Sequence, residues 1–236
     1  MVKKNSIALV IYMFLMAIGL YITYRVLGVE YNSSNFSKTF LPFTCLLALF
    51  ALSYGLRYRK DLALDKEGKK NYLPFAIAFV TVVAFGVFFL INNFALNMVF
   101  FILLVDTALT AFAEETIYRG IVLGGLVKKT PAILALLFSA VLFSLLHLLN
   151  LLAGLSISEV INQMGSTFIM GMFLGALYLE SKSIFLPIIF HWMWNFIILS
   201  DSLSTIDFMP IVLLVVIGGE IVGIIYFVLK QLIKKK

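Results

Sequence analysis

The chain has 236 residues, of which 62% are hydrophobic and only 13% are charged, and its mean hydropathy is +1.07. Soluble domains carry about 45–50% apolar and about 25% charged residues. The composition therefore excludes a soluble domain, a collagen, a disordered tail and a nucleic-acid-binding protein. Cys45 is the single cysteine, so a secreted module held by internal disulfides is excluded as well. The formal net charge of +6 instead raises the question of which side of a membrane holds the basic residues.

Eight apolar segments follow one another along the chain, at about 6–27, 40–56, 73–91, 98–127, 131–153, 159–180, 183–199 and 208–229. A spanning helix needs about 20 apolar residues, so the segments predict an all-α, polytopic membrane bundle of about eight transmembrane helices. The first segment is longer than the core of a signal peptide and no A-x-A-type cleavage site follows it, which predicts an uncleaved span. The fourth is long for one span and is expected to be tilted or broken.

The basic residues sort by side in this eight-span arrangement. Cytoplasmic loops of membrane proteins carry an excess of Lys and Arg. Arg25 and Lys38 fall on one side and Arg119 lies within a span. All the other basic residues fall on the opposite side: Lys3, Lys4, Arg57, Arg59, Lys60, Lys66, Lys69, Lys70, Lys128, Lys129, Lys182, Lys230, Lys234, Lys235 and Lys236. Both termini are therefore predicted to be cytoplasmic.

Three of the predicted spans carry polar side chains, which cost a few kcal/mol each in a bilayer. They form the patterns Glu114-Glu115-x-x-x-Arg119, Phe143-x-x-x-His147 and His191-x-x-x-Asn195. Counting ~1.5 Å per residue from the nearest cytoplasmic lysine brings the three patterns to a common level near the middle of the membrane. Residues four apart share a helix face, which pairs Glu115 with Arg119. Glu114 lies about 100° round the helix from Glu115, so the two carboxylates can have different roles.

Structural roles compete with functional ones for each of these residues. Glu115 and Arg119 are most simply an intrahelical ion pair, Asp106 is expected to mark the outer interface, and a single membrane histidine usually bonds a neighbouring helix. The glycine pairs 120/124 and 171/175 are typical helix-packing sites. Trp192 and Trp194 can be either lipid-facing or cavity walls. Two histidines, a carboxylate and an amide converging from three helices favour function for that group.

A carboxylate and histidines around a wet cavity suit the activation of water. Glu114 can act as general base, and a neutral histidine with the Asn195 amide can donate hydrogen bonds to an oxyanion. Neither Ser144 nor Cys45 has the setting of a nucleophile. The alternative is a zinc-bound water held by Glu114, His147 and His191, although the HExxH motif is absent and the two histidines lie on different helices.

The three patterns, in this order on successive membrane segments, resemble the intramembrane proteases grouped as CPBP, the CAAX protease and bacteriocin-processing (Abi) family, which includes the type II CAAX prenyl proteases. The run from Gly171 to His191 also resembles the approach to the last motif of that family. The resemblance spans about residues 100–200. It divides a single integral membrane domain, 1–236, into accessory N-terminal spans (1–97), a catalytic core (98–200), and a last span with a basic tail (201–236).

The resemblance implies that Glu114 activates water with assistance from His147, and that His191 and Asn195 form the oxyanion site. Supporting roles fall to Glu115, Arg119 and Phe143. It also implies hydrolysis of a peptide bond without a metal, although the family was long described as metalloproteases. The Lys-, Ile-, Phe- and Asn-rich composition suggests a bacterial plasma membrane, where a membrane-associated peptide or protein is expected as substrate in peptide maturation, signalling or bacteriocin immunity.

Two other functions stay open on the sequence. A non-proteolytic immunity or regulatory protein would bind a partner in the bilayer and keep the motifs for packing. A small transporter would use Glu114 and the histidines as a proton relay, but the sequence has neither internal repeats nor matched broken helices in two halves. No nucleic-acid partner is expected in any of these cases.

Overall fold

The computed structural model describes residues 2–59, 64, 70–200 and 208–233. Within these ranges the chain forms eight helices and no strand: α1 (Val2–Tyr21), α2 (Phe36–Arg57), α3 (Leu73–Asn92), α4 (Met98–Glu115), α5 (Ala132–Leu146), α6 (Ile157–Ser181), α7 (Phe185–Leu199) and α8 (Met209–Ile233). The predicted all-α bundle is confirmed. Some of the basic residues used for the orientation lie outside the described residues: Lys60, Lys66, Lys69, Lys234, Lys235 and Lys236. Positions 201–207, at the start of the predicted C-terminal region 201–236, also lie outside them.

Six described segments are long and apolar enough to cross a membrane: Lys3–Val26, Phe36–Arg57, Leu73–Asn92, Ala132–Ala153, Ile157–Ser181 and Met209–Ile233. Helix α7 is apolar but shorter, with 15 residues. Helix α4 carries three carboxylates within its 18 residues, which lowers its hydropathy. These two less typical helices carry most of the predicted site. In α4 the carboxylates weaken the transmembrane signal, whereas α7 is only shorter than a typical span.

The fourth apolar segment is broken, as its length suggested. Helix α4 continues as a π-helix, Thr116–Leu123, and then as a short α-helical turn, Gly124–Leu126. A π-turn frees backbone carbonyls that neighbouring side chains must satisfy inside a membrane. Asn5 of α1 donates through Nδ2 to the carbonyl oxygen of Ile121 at 2.8 Å, and Ser139 of α5 donates through Oγ to that of Tyr118 at 2.9 Å.

The helices are arranged so that α4 packs between α2 and α7, while α7 also contacts α3. Helix α6 lies against α5 and α8, and α8 against α3. The glycines at 171 and 175 lie where α6 meets α5, since a Cβ on Gly171 would contact Ala140 and one on Gly175 would contact Leu136. Their predicted packing role is confirmed. The side chains of Val10, Leu49, Ile91 and Leu214 are exposed on the outside of the bundle, as expected for lipid-facing positions.

The bundle has two distinct ends. The basic end holds the start of α1, the end of α2 and the end of α8: Lys4 Nζ lies 5.6 Å from the ring centroid of Tyr58, and Lys230 Nζ lies 2.6 Å from Oε1 of Glu180. The far end holds the α1–α2 loop, whose Tyr31 backbone N–H donates to the carbonyl of Ala153 at 3.0 Å. The start of α1 and the end of α8 therefore lie at the same end of the bundle, and that this end is cytoplasmic stays a prediction.

Candidate active site

A cavity of about 210 Å³ lies inside the far half of the bundle. Its walls come chiefly from α4, α6 and α7, with α1, α2 and the 3₁₀ segment His147–Ala153 completing them. The cavity has room for several water molecules. Glu114, His147, His191 and Asn195 all line it, so the structure brings together the four side chains that the sequence singled out on three helices.

Glu115 lies behind this cavity and connects two helices. Its Oε1 atom is 2.9 Å from Nη1 of Arg119, in the π-helix that continues α4, and 2.9 Å from Nδ1 of His191 on α7. The side chains of Glu115 and Arg119 are fully buried. The intrahelical ion pair is present, and the histidine contact adds an interhelical bond to it. Because an ionised carboxylate can only accept, the Nδ1 atom of His191 carries the hydrogen.

Glu114 lies on the cavity side of the same helix and faces the other nitrogen of His191. Its Oε2 atom is 3.7 Å from Nε2 of His191. That separation is too long for a direct hydrogen bond, yet one water molecule can bond to both atoms. The two adjacent carboxylates therefore have separate contacts, Glu115 with Nδ1 and Glu114 with Nε2 of one imidazole.

His147 begins the 3₁₀ segment that follows α5, and its ring is oriented by its own helix. Its Nδ1 atom lies 3.1 Å from the carbonyl oxygen of Phe143. A carbonyl oxygen can only accept, so Nδ1 carries the hydrogen and the neutral ring has its lone pair on Nε2. His147 is therefore arranged as an acceptor at the cavity wall.

Phe143 touches three of the site residues. Its ring meets those of His147 and His191 edge to face, with centroids 5.3 and 5.7 Å apart. The guanidinium carbon of Arg119 lies 4.3 Å from the centroid of the same ring. The cation over the ring face and the edge contacts follow the charge distribution of an aromatic ring. Phe143 thus fixes both histidines and the arginine through one buried side chain.

Asn195 lies one turn after His191 on α7 and is half-buried. Its side-chain amide makes no hydrogen bond to any residue in the described ranges, so it can bond to a ligand in the cavity. Trp194 is a cavity wall and Trp192 is not among the lining residues. Ser144 donates through Oγ to the carbonyl of Met164 at 2.8 Å, which leaves that hydroxyl committed elsewhere.

Asp106 has a place in the cavity wall that the sequence did not indicate. The side chain is buried, it lines the cavity, and its Oδ1 atom accepts from Oγ1 of Thr44 at 2.7 Å. That Asp106 marks the outer interface of the membrane stays a prediction. Asp106, Thr110 and Glu114 follow one another at intervals of four residues along α4 and share one face. This polar stripe leads from the far end of the helix to the catalytic level. The spacing is visible in the sequence, and it is the signal by which Asp106 and Thr110 could have been found.

The zinc alternative requires Glu114, His147 and His191 to converge on one point. In the part of the chain that the structure describes, no three His, Cys, Asp or Glu side chains form a group that could hold a metal ion. One nitrogen of His191 is also already bonded to Glu115. We derive no step through a metal, and metal independence stays a prediction.

Several buried polar atoms behind the cavity were not expected from the sequence. The hydroxyls of Tyr12 and Tyr118 and the Oε2 atom of Glu115 have no hydrogen-bond partner among the described residues. All three belong to side chains with essentially no exposed surface. Buried polar groups are usually satisfied, often by an ordered water. The sequence could not indicate these tyrosines, because a tyrosine in the middle of a helix is compatible with a ring that only packs and with a hydroxyl that is hydrogen-bonded.

Residues 95–197 match the family described as Rce1-like, the type II CAAX prenyl endopeptidases. The matched segment runs from the start of α4 nearly to the end of α7, and it contains all seven residues of the three motifs. The match agrees with the resemblance to CPBP proteases. Comparison with curated proteins gives no match. Together with the long apolar helices, the family match indicates a multi-pass membrane protein with a protease-like function and a membrane-associated substrate.

Proposed function

The chain carries an Rce1-like domain at residues 95–197, and from this premise we propose that it is an intramembrane endopeptidase that hydrolyses a peptide bond with a water molecule activated by Glu114. The observation that carries the proposal is the position of Glu114 and His191, whose facing atoms are 3.7 Å apart in a cavity within the bundle. A water molecule between these atoms would stand beside a general base and next to the wall formed by His147 and Asn195.

In the first step the water oxygen attacks the carbonyl carbon of the scissile bond and Glu114 takes its proton. The carbonyl oxygen becomes an oxyanion, which the free amide of Asn195 can bind. His191 can donate from Nε2 only when it is protonated, because its Nδ1 hydrogen is committed to Glu115. In the second step the proton passes to the leaving amine, and the carbon–nitrogen bond breaks to give an acid and an amine.

The charges around the site support this sequence. The Glu115–Arg119 pair is neutral as a unit, so an ionised Glu114 is balanced when His191 is a cation. Buried charges persist only when they are paired and hydrogen-bonded. His147 presents a lone pair rather than a hydrogen at Nε2, which suits it to accept from the attacking water. We assign Arg119, Glu115 and Phe143 to positioning, since each acts through a histidine.

The substrate we propose is a membrane-associated peptide or protein of a bacterium, and the site of action is the plasma membrane. This fits peptide maturation, signalling or bacteriocin immunity better than the processing of prenylated proteins. The composition of the chain supports a bacterial source, where protein prenylation is not expected. We propose that no metal takes part, because no three His, Cys, Asp or Glu side chains converge in the part of the chain that the structure describes.

The test compares wild-type protein with Glu114→Gln after reconstitution with membrane peptides from the host. New peptide termini are identified by mass spectrometry. Glu220→Gln is the matched control, because Glu220 is also a buried carboxylate in a membrane helix but does not line the cavity. Wild type and Glu220→Gln should give the same new termini and Glu114→Gln none. Identical termini from all three proteins would contradict the proposal. A variant that protects or signals normally without cleavage would favour the non-proteolytic interaction protein.

A further inference from the structure

The catalytic cavity is closed toward the basic end of the bundle. Between Glu114 and that end lie Tyr118, Arg119, Ile121 and Phe143, all with little or no exposed surface. A second cavity at the basic end has a volume of only about 80 Å³ and is lined by Asn5, Gly125 and their neighbours, with none of the proposed catalytic residues. The packed core around the π-helix therefore separates the site from the basic loops.

The cavity continues instead toward the far end. A wider space of about 460 Å³, which we call the vestibule, is lined by the α1–α2 loop, the first turns of α4 and the end of α7. The vestibule shares five lining residues with the catalytic cavity: Tyr31, Phe36, Gln163, Ile198 and Leu199. The two spaces thus adjoin each other, and together they extend from the level of Glu114 to the far end.

The charges at the two ends of the bundle indicate which end faces the cytoplasm. Among the described residues, Lys3, Lys4, Arg57, Arg59, Lys70, Lys128, Lys129, Lys182 and Lys230 lie on the helix termini and loops of the basic end. The far end has Arg25 and Lys38. The excess of Lys and Arg in cytoplasmic loops predicts that the basic end is cytoplasmic and the far end extracytoplasmic.

The lining itself indicates what could occupy the cavity. Apolar side chains from α1 and α2, such as Met16 and Phe40, face hydroxyl and amide groups from α4 and α6, such as Thr110 and Gln163. Within the described ranges no lysine or arginine lines the catalytic cavity, whereas Asp106 and Glu114 do. Such walls suit an extended segment that offers backbone hydrogen-bonding groups and apolar or cationic side chains. The catalytic cavity offers a terminal carboxylate no lysine or arginine among the described residues, and Lys38 lines only the vestibule.

We propose that the active site opens through the vestibule on the extracytoplasmic side, and that its substrate is an extended, neutral or cationic peptide segment that lies outside the cytoplasm or in the outer leaflet. The nature of the substrate rests on the proposed protease function, whereas the direction of the opening does not. Exported peptides and the outer ends of membrane-anchored proteins belong to this class. Cytoplasmic protein tails do not.

The direction is tested by labelling single cysteines in spheroplasts with a small, charged, membrane-impermeant thiol reagent. Cys45, the one native cysteine, is first replaced by alanine. Ser34→Cys reports on the vestibule and Asn71→Cys on the basic end, since both native side chains are exposed. Thr110→Cys reports on the wall of the cavity, one turn from Glu114. Ser166→Cys, on the opposite wall, is the second cavity position in case Thr110→Cys does not fold.

Ser34→Cys and the cavity cysteine should react in intact spheroplasts, and Asn71→Cys only after permeabilisation. The reverse pattern would overturn the proposal, as would a cavity cysteine that reacts only after permeabilisation or not at all. Labelling does not require activity, so these outcomes are separate from the Glu114-dependent cleavage that tests the protease. For the substrate, an amidated and a free-acid form of one cleaved peptide are compared in proteoliposomes. Preference for the free acid would contradict the argument from the lining.

Discussion

The Nδ1 atom of His191 lies 2.9 Å from Oε1 of Glu115, although 76 positions separate them in the chain. This bond joins α7 to α4 and decides which nitrogen of the imidazole faces the cavity. Arg119 holds the same carboxylate oxygen from the other side, at 2.9 Å. The orientation of His191 therefore depends on a buried ion pair that itself has no contact with the cavity.

Replacing Glu115 with glutamine should reduce stability more than any other conservative change in the site. The variant leaves the fully buried guanidinium of Arg119 without its counter-charge, and breaking one partner of a buried ion pair costs about 3–5 kcal/mol. Thermal unfolding in detergent measures the effect. Glu114→Gln is the matched control, because the contact of Glu114 with Nε2 of His191 is longer, at 3.7 Å. Equal unfolding temperatures for the two variants would contradict the assigned division of roles.

Phe143→Leu should lower activity far more than its effect on stability explains. The change removes the edge contacts to both histidines, worth about 0.5–1.5 kcal/mol each, and frees the rings to turn. Misplacing catalytic groups by about 1 Å can cost on the order of 10²-fold in rate. We expect kcat to fall while KM changes little.

Phe173→Leu is the control for this prediction. Phe173 is equally buried and makes tilted ring contacts with Phe75 and Phe190, away from the cavity. The Phe173→Leu variant should lose about as much stability as Phe143→Leu, and its kcat should stay at the wild-type value. A parallel loss of kcat in both variants would show that general packing, rather than the orientation of the histidines, governs the rate.

Gly125→Ala should disrupt the anchor of the π-helix. An added Cβ at this position collides with Nδ2 of Asn5, the group that donates to the carbonyl of Ile121. An unsatisfied buried carbonyl costs about 1–3 kcal/mol. Gly218→Ala, whose Cβ would meet no atom within 4 Å, should not lower the unfolding temperature.

A double-mutant cycle separates this mechanism from simple crowding. In the Asn5→Ala background the bond to Ile121 is already absent, so Gly125→Ala should cost much less than it does in the wild-type chain. Additive losses in the two backgrounds would mean that the alanine acts through some contact other than Asn5.

Chelation should leave the cleavage rate unchanged. Protein reconstituted after dialysis against a strong chelator is compared with protein to which zinc has been returned, and bound metal is quantified in the same samples. If activity is lost when stoichiometric zinc is removed and is restored when zinc is added back, the metal-dependent alternative is established.

The fold and the central motifs could be predicted from the sequence because both depend on local patterns. A run of about 20 apolar residues defines a spanning helix wherever it occurs, and an interval of four residues fixes the pairing of Glu115 with Arg119. Separate roles for Glu114 and Glu115 also follow from helix geometry.

Other features depend on contacts between distant segments and could not be predicted. Nothing near position 5 in the sequence indicates that Asn5 bonds to Ile121, and the π-helix is stable only because such partners exist. The place of Asp106 in the cavity wall was missed because the residue was considered alone. Its burial follows from Thr44 on the facing helix and from the shared cavity wall with Thr110 and Glu114.

The most direct test of the account is the rate at which Glu114→Gln cleaves a peptide that the wild-type protein cleaves in metal-depleted proteoliposomes. Glutamine keeps the size of the side chain and removes its capacity to take a proton from water. General-base catalysis contributes about 10²–10⁴-fold, so the cleavage rate of Glu114→Gln should fall by a factor in this range or by more. Its unfolding temperature should stay unchanged, and so should the activity of Glu220→Gln. A Glu114→Gln protein that cleaves at the wild-type rate would contradict the central claim.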